Sequence, residues 1–143
     1  MYKFLLFSVL CLFSFNAHAV DTSAYDACYA KAQDDNELSL CMKTETTRLN
    51  NLIKESYQAI IKYPELKKWN KSDTLNSGNL KDMYSHWMNY RNRYCSLYKL
   101  ASQNSFGSPE FHYERCMLTI TNDHYELLEA VLLNVNTSGE EDD

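Results

Sequence analysis

Apolar residues recur at three- and four-residue spacing along most of this 143-residue chain, the period of helices that each turn one face to a core. Leu38, Cys41, Met42, Leu49, Leu52, Ile53, Ile60 and Tyr63 form one stripe. The cluster Asp34-Asp35-Asn36 opens it as a turn and helix cap, and Pro64 kinks or ends it. A second stripe, Leu80, Met83, Tyr84, Trp87, Arg91, Tyr94, Cys95 and Tyr98, predicts a helix starting near Asn79 or Leu80. A third, Tyr113, Cys116, Met117, Ile120, His124, Leu127 and Val131, follows Ser108-Pro109-Glu110. That triplet supplies an N-cap, a proline at the first helical position and an acid at the positive dipole end. Upstream, Ser23 with Asp26 three residues on reads as a capping-box-like start. The short helix it opens would turn Tyr25, Cys28, Tyr29 and Ala32 inward. Residues 70–79 and Ser102–Ser108 are loops, and no useful period-two alternation appears. The three glycines and two prolines fall where the apolar period breaks. An all-α fold is expected: a small antiparallel bundle of one short and three longer helices.

The N-terminus changes the compartment. Lys3 precedes an apolar run from Phe4 to Phe15, and Ala17-His18-Ala19 offers a small-x-small cleavage site before Val20. The run is about a dozen residues, against roughly 20 needed to span a bilayer. Residues 1–19 therefore read as a cleaved signal peptide, with no membrane anchor retained and a periplasmic or secreted product. Cys11 would leave with the signal, and Leu10 before it is a poor fit to a lipidation site. The domain then covers residues 20–136. Residues 137–143 form an acidic tail with nothing to bury, expected to be disordered.

Net charge is −5 for the whole chain. Loss of Lys3 takes it to −6, and the four acids Glu140 to Asp143 account for four of those charges, leaving the body near −2. No basic stripe suits nucleic acid or an anionic membrane, so a protein partner is expected. Exported and even in number, Cys28, Cys41, Cys95 and Cys116 read as two disulfides. A metal site is the rival, since His112 and Cys116 lie one helical turn apart. The oxidising compartment and the lack of a Cys-x-x-Cys pair favour sulfur bridges over metal or thiol chemistry. Cys28 and Cys41 are equidistant from the Asp34 turn, and Cys95 and Cys116 from the Ser102–Ser108 loop. Pairing within each hairpin, Cys28–Cys41 and Cys95–Cys116, is thus the economical arrangement. Cys41 with Cys95 or Cys116 remains open, because those positions gather at one end of an antiparallel bundle.

The order Cys28, Cys41, Leu49-Asn50, Trp87-x-x-Tyr90-Arg91-x-x-x-Cys95, Gly107-Ser108, Cys116 and Thr121 resembles the LprI-like family of exported helical domains, named for a lysozyme inhibitor. The resemblance runs from about Cys28 to Leu128. The chain departs from the family pattern at Tyr84, Asn92, His124 and Ile53. It implies a binding protein that occludes the cleft of a lysozyme-like muramidase. Immunity to a peptidoglycan-degrading toxin, or a structural or accessory envelope role, are the alternatives.

Candidate chemistry adds little to this. Trp87 and Arg91 are one turn apart, which reads as a core tryptophan with a snorkelling arginine; with Tyr90 they form a structural motif. His124 reads as a satisfied core histidine, and His86 and His112 as solvent-facing. The histidines accompany no serine or cysteine motif, and no glycine-rich phosphate loop is present, so neither an enzyme nor a cofactor is expected. Asn70-Lys71-Ser72 and Asn136-Thr137-Ser138 match the glycosylation sequon and read as incidental. The candidate partner-binding segment is Ser105, Phe106, Gly107 and Ser108. Its Phe106 either plugs a partner's cleft or folds back over the bundle end, and the second is the expected default.

Overall fold

A computed structural model describes residues 21–63 and 77–137. The proposed signal segment and cleavage site, Pro64, most of the 70–79 loop and its sequon, and the tail beyond residue 137 lie outside them. The described residues form four helices: α1 (Ser23–Tyr29), α2 (Asp35–Lys62), α3 (Ser77–Ala101) and α4 (Pro109–Thr137). Consecutive long helices run antiparallel, so α2 and α4 are parallel neighbours. Asp35 meets Ser108 at one end, and Tyr57 meets His124 farther along. The α2–α4 packing is the most extensive, α3 packs mainly on α4, and α1 packs on α2. No helix among the described residues is long and apolar enough to cross a membrane.

The helix ends follow local chemistry. Asp34 caps α2 from extended backbone, its carboxylate accepting from the N–H groups of Asn36 and Glu37 at 2.9 Å each. At the far end Tyr63 is extended, with ψ 127°. The residue before a proline is pushed out of the helical region, and Pro64 is next in sequence. Ser108 caps α4, its hydroxyl accepting from Phe111 N–H at 3.1 Å. For α1 the start shifts by one residue: Thr22 precedes the helix without a side-chain cap, and its hydroxyl instead donates to Asp26 at 2.8 Å. None of the residues of α1 is buried; of the expected inward face, Tyr25 and Ala32 are half-buried and Cys28 and Tyr29 exposed, so the face is only partly seated. Seven residues bury too little surface to seat themselves, and a sulfur bridge to α2 holds the segment.

Leu49, Ile53, Tyr57 and Ile60 of α2 pack with Leu80 of α3 and with Tyr125 and Leu128 of α4 in the main core. Complete burial of each aliphatic chain contributes about 1.5–3 kcal/mol. A smaller cluster, Cys95, Cys116 and Met117, fills the end near the α3–α4 loop. The bridges Cys28–Cys41 and Cys95–Cys116 lie within the two hairpins, with Cα separations of 5.7 and 5.6 Å. Two stripes are rotated from expectation. Met83 and Tyr94 on α3 are exposed, as are Leu127 and Val131 on α4. Apolar residues occupy more than one side of α4 near its end, and the neighbouring helices select the Tyr125–Leu128 side.

Trp87 is half-buried, stacked on His124 with ring centroids 4.0 Å apart and packed against the main core. Trp87→Ala should destabilise the fold near the lower end of about 3–5 kcal/mol, read as a lowered urea midpoint. A variant that melts like the parent would place Trp87 outside the core. Intact mass of the native protein should rise by about four hydrogens on reduction. Thiol labelling of unreduced, denatured protein at two cysteines would contradict the paired state.

Candidate functional site

Two polar constructions stand out, one inside the bundle and one at its end. Inside, Arg91 is 2% exposed, so its guanidinium does not snorkel. One of its terminal nitrogens donates to Asn50 Oδ1 at 2.6 Å and to Thr121 Oγ1 at 2.8 Å. The neighbouring Asn92 Oδ1 accepts from the rest of the fork at 3.1 and 3.3 Å. Thr121 in turn donates to the Met117 carbonyl at 2.6 Å. The guanidinium carbon lies 4.8 Å from the centroid of the Trp87 ring, within cation–π range. A helix interior offers an arginine few acceptors, and here α2 and α4 each supply one. Tyr90, the third member of the sequence motif, points outward and is 60% exposed.

His124 completes this centre. Its Nε2 lies 3.1 Å from the Tyr57 hydroxyl, and its ring is sandwiched near Trp87 and Tyr57. Burial, and then the Arg91 charge, hold its pKa below the ordinary 6.5. These bonds join α2, α3 and α4 to one another, so the cluster is the frame that places the second construction.

That second construction is the α3–α4 loop. Gly107 has φ +95°, and a Cβ there would meet the Asp35 carboxylate, the His112 ring and Phe111 at 3.4 Å each. Glycine is favoured on both grounds. The next residue, Ser108, donates its N–H to Asp35 Oδ2 at 2.9 Å. Phe106 offers its carbonyl to His112 Nε2 at 2.8 Å, which requires the proton on that nitrogen. His112 is therefore buried at 6% exposure rather than solvent-facing: the loop backbone folds onto it, and Tyr98 meets its ring edge-on. Lys99 and Glu110 form an ion pair across the base of the loop, below which lies the Cys95–Cys116 bridge. With its backbone held at these points, the loop leaves the Phe106 side chain 100% exposed. Phe106 does not fold back over the bundle end.

Of the sequence-selected segment, then, Ser108 is a helix cap, Gly107 a backbone pivot, and Ser105 and Phe106 the exposed tip. Asp35 and His112 were missed as its anchors. A hint was present: Asp34 alone suffices to cap α2, which leaves Asp35 available for another donor. Among the described residues no cluster of three or more His, Cys, Asp or Glu could hold a metal.

Residues 27–128 match the lysozyme inhibitor LprI family, most of the chain. The protein belongs to the LprI family. No curated protein and no solved structure matches it. Seen as an LprI domain, its motif residues divide by task. Asn50, Arg91 and Thr121 knit α2, α3 and α4 together, the cysteines clamp the hairpins, and Gly107-Ser108 shapes a loop that presents an aromatic ring, Phe106, to solvent.

The lowered pKa of His124 has a consequence for stability. Below about pH 6.5 the unfolded chain takes up a proton that the folded LprI domain resists, so stability falls as pH drops from there toward the folded-state pKa. His124→Gln should flatten that decline in urea midpoints measured from pH 7.5 to 5. The parent-minus-variant difference isolates it from Glu114, whose carboxyl burial pushes up and whose pH dependence has the opposite sign. Identical slopes in parent and variant would show that His124 does not resist protonation.

Proposed function

We propose that this protein is an exported inhibitor of a lysozyme-like peptidoglycan hydrolase and that the α3–α4 loop occludes the enzyme's cleft. The observation that carries the reading is the loop's combination of a fixed backbone and an unshielded ring. An immobile loop has little conformational freedom left to lose on binding, so more of its contact energy reaches the affinity. Glycan hydrolases hold two carboxylates in an open groove, and a protruding aromatic on a rigid support is a shape that enters a groove. Membership of the LprI family supports the target class, and an inhibitor of this kind has no reaction of its own to catalyse. Two disulfides in a small domain support export, as does the N-terminal segment. A body of mildly negative charge suits encounter with basic muramidases, by raising the association rate more than the final affinity.

Turbidity assays of cell-wall lysis with a panel of muramidases test this directly. The parent should inhibit at least one. Replacing Ser105 and Phe106 together by alanine should weaken that inhibition by about tenfold or more, in keeping with loss of a buried aromatic anchor, while the melting temperature stays unchanged. Undiminished inhibition by the double variant would move the site off the loop. No inhibition by the parent across the panel would overturn the muramidase reading in favour of an immunity or envelope role.

A further inference from the structure

Helix α3 has a second face that the other described helices do not cover. Viewed down the helix, Met83, Tyr90, Tyr94 and Leu97 lie on one side, about a quarter turn from the inward Tyr84, Arg91 and Cys95. Their exposures are 49%, 60%, 46% and 63%, and His86 and Arg93 share the same side. Tyr90 and Tyr94 are stacked at i and i+4, with ring centroids 5.8 Å apart and planes 28° apart. Each ring limits the other's rotamers, so the pair forms a preset flat surface.

The charge distribution indicates what this surface fits. Helix α3 carries Lys81, Arg91, Arg93 and Lys99 against one acid, Asp82, for a formal +3. From Met83 to Ala101 it holds no acid at all. Helix α4 carries Arg115 against Glu110, Glu114, Asp123, Glu126 and Glu129, for −4. The whole chain is −5. Arg91 is buried in the bundle and Lys99 is paired with Glu110, so the outer face owes its charge to Arg93, which lies beside the tyrosines without an ion-pair partner among the described residues.

We propose that the outer face of α3, centred on Tyr90, Arg93, Tyr94 and Leu97, lies along the substrate groove of a muramidase, with the Arg93 guanidinium meeting the groove's carboxylates. This rests on the inhibitor reading above and extends its contact surface from the loop onto the helix. The partner's charge pattern is the complement of this one. A muramidase carries two carboxylates in its groove, while this protein, acidic overall, presents the Arg93 guanidinium on one convex helix face. Arginine suits the carboxylates by bidentate geometry, and a groove shaped for a row of pyranose rings takes a row of flat phenol rings. Tyrosine and arginine are also the residues that interface centres favour. The segment from Tyr90 to Ala101 spans about 16 Å at the helical rise and leads into the loop carrying Phe106, so face and loop follow one another along a groove.

The test is a double-mutant cycle by calorimetry, using the oxidised full protein. Arg93→Gln and Tyr90→Ala/Tyr94→Ala are compared with the parent on a muramidase that the parent inhibits. Arg93→Gln is then repeated on that enzyme with one catalytic carboxylate changed to its amide. The proposal expects each α3 variant to weaken binding at least tenfold at an unchanged melting temperature, and the Arg93→Gln loss to shrink several-fold against the amide enzyme. Unchanged binding by both α3 variants, with binding still sensitive to Ser105→Ala/Phe106→Ala, would overturn the α3 face and leave the inhibitor reading standing. An equal Arg93→Gln loss on both enzymes would overturn the carboxylate contact. Light scattering that shows a dimer, abolished by Tyr90→Ala/Tyr94→Ala and undisturbed by muramidase, would assign the face to a second copy of this chain instead. A parent that inhibits no muramidase would remove the inhibitor reading and this inference together.

Discussion

A guanidinium taken out of water without a carboxylate beside it must find its hydrogen bonds in neutral groups, and Arg91 finds them on three helices at once. The desolvation of such an ion costs several kcal/mol. Asn50 from α2, Thr121 from α4 and the adjacent Asn92 offset it only while all are in register. A slip of one residue on either neighbour would leave a buried cation short of acceptors, so the cluster selects one arrangement of the helices. Trp87 and His124 close it on the apolar side, through a cation–π contact and a stacked ring.

The register set at Arg91 propagates to the bundle end. With α3 and α4 fixed at that level, Cys95 and Cys116 face each other and are bridged, one helical turn along α4 from the loop anchor His112. Because α2 and α4 run parallel, the first turn of α2 lies beside the first turn of α4, and Asp35 can reach the Ser108 amide. The loop therefore inherits its shape from the whole bundle: one anchor on α2, one on α4, and a glycine between them. Rigidity at the tip is a tertiary property, although the residues that show it are contiguous in sequence.

The helices were largely legible from sequence. Asp34, Ser108 and the position of Pro64 mark their ends by local backbone chemistry, and the three- and four-residue spacing marks their lengths. The equal distance of each cysteine from its turn also anticipates the within-hairpin bridges that the structure contains. Less legible was which side of a helix turns inward. Met83, Tyr94, Leu127 and Val131 satisfy the helical period yet stand outside, because an apolar residue at the edge of a stripe can belong to the core or to a neighbouring surface. Arg91 and His112 erred in the other direction. Both are polar and both are buried: Arg91 meets acceptors from distant parts of the chain, and His112 is covered by the loop, whose Phe106 carbonyl accepts from it.

What the sequence by itself determined is the set of elements: hydrogen bonding within a helix, its caps and its breakers act over a few residues, so neighbours in sequence suffice to specify them. What only the tertiary structure decided is the azimuth of each helix and the fate of single side chains. Asn50 lies 41 residues from Arg91 and Thr121 lies 30, and no local pattern announces that they will share a guanidinium. Phe106 stands clear of the bundle for the same reason. Its backbone is held by Asp35 and His112 through groups that become neighbours only after three helices have packed.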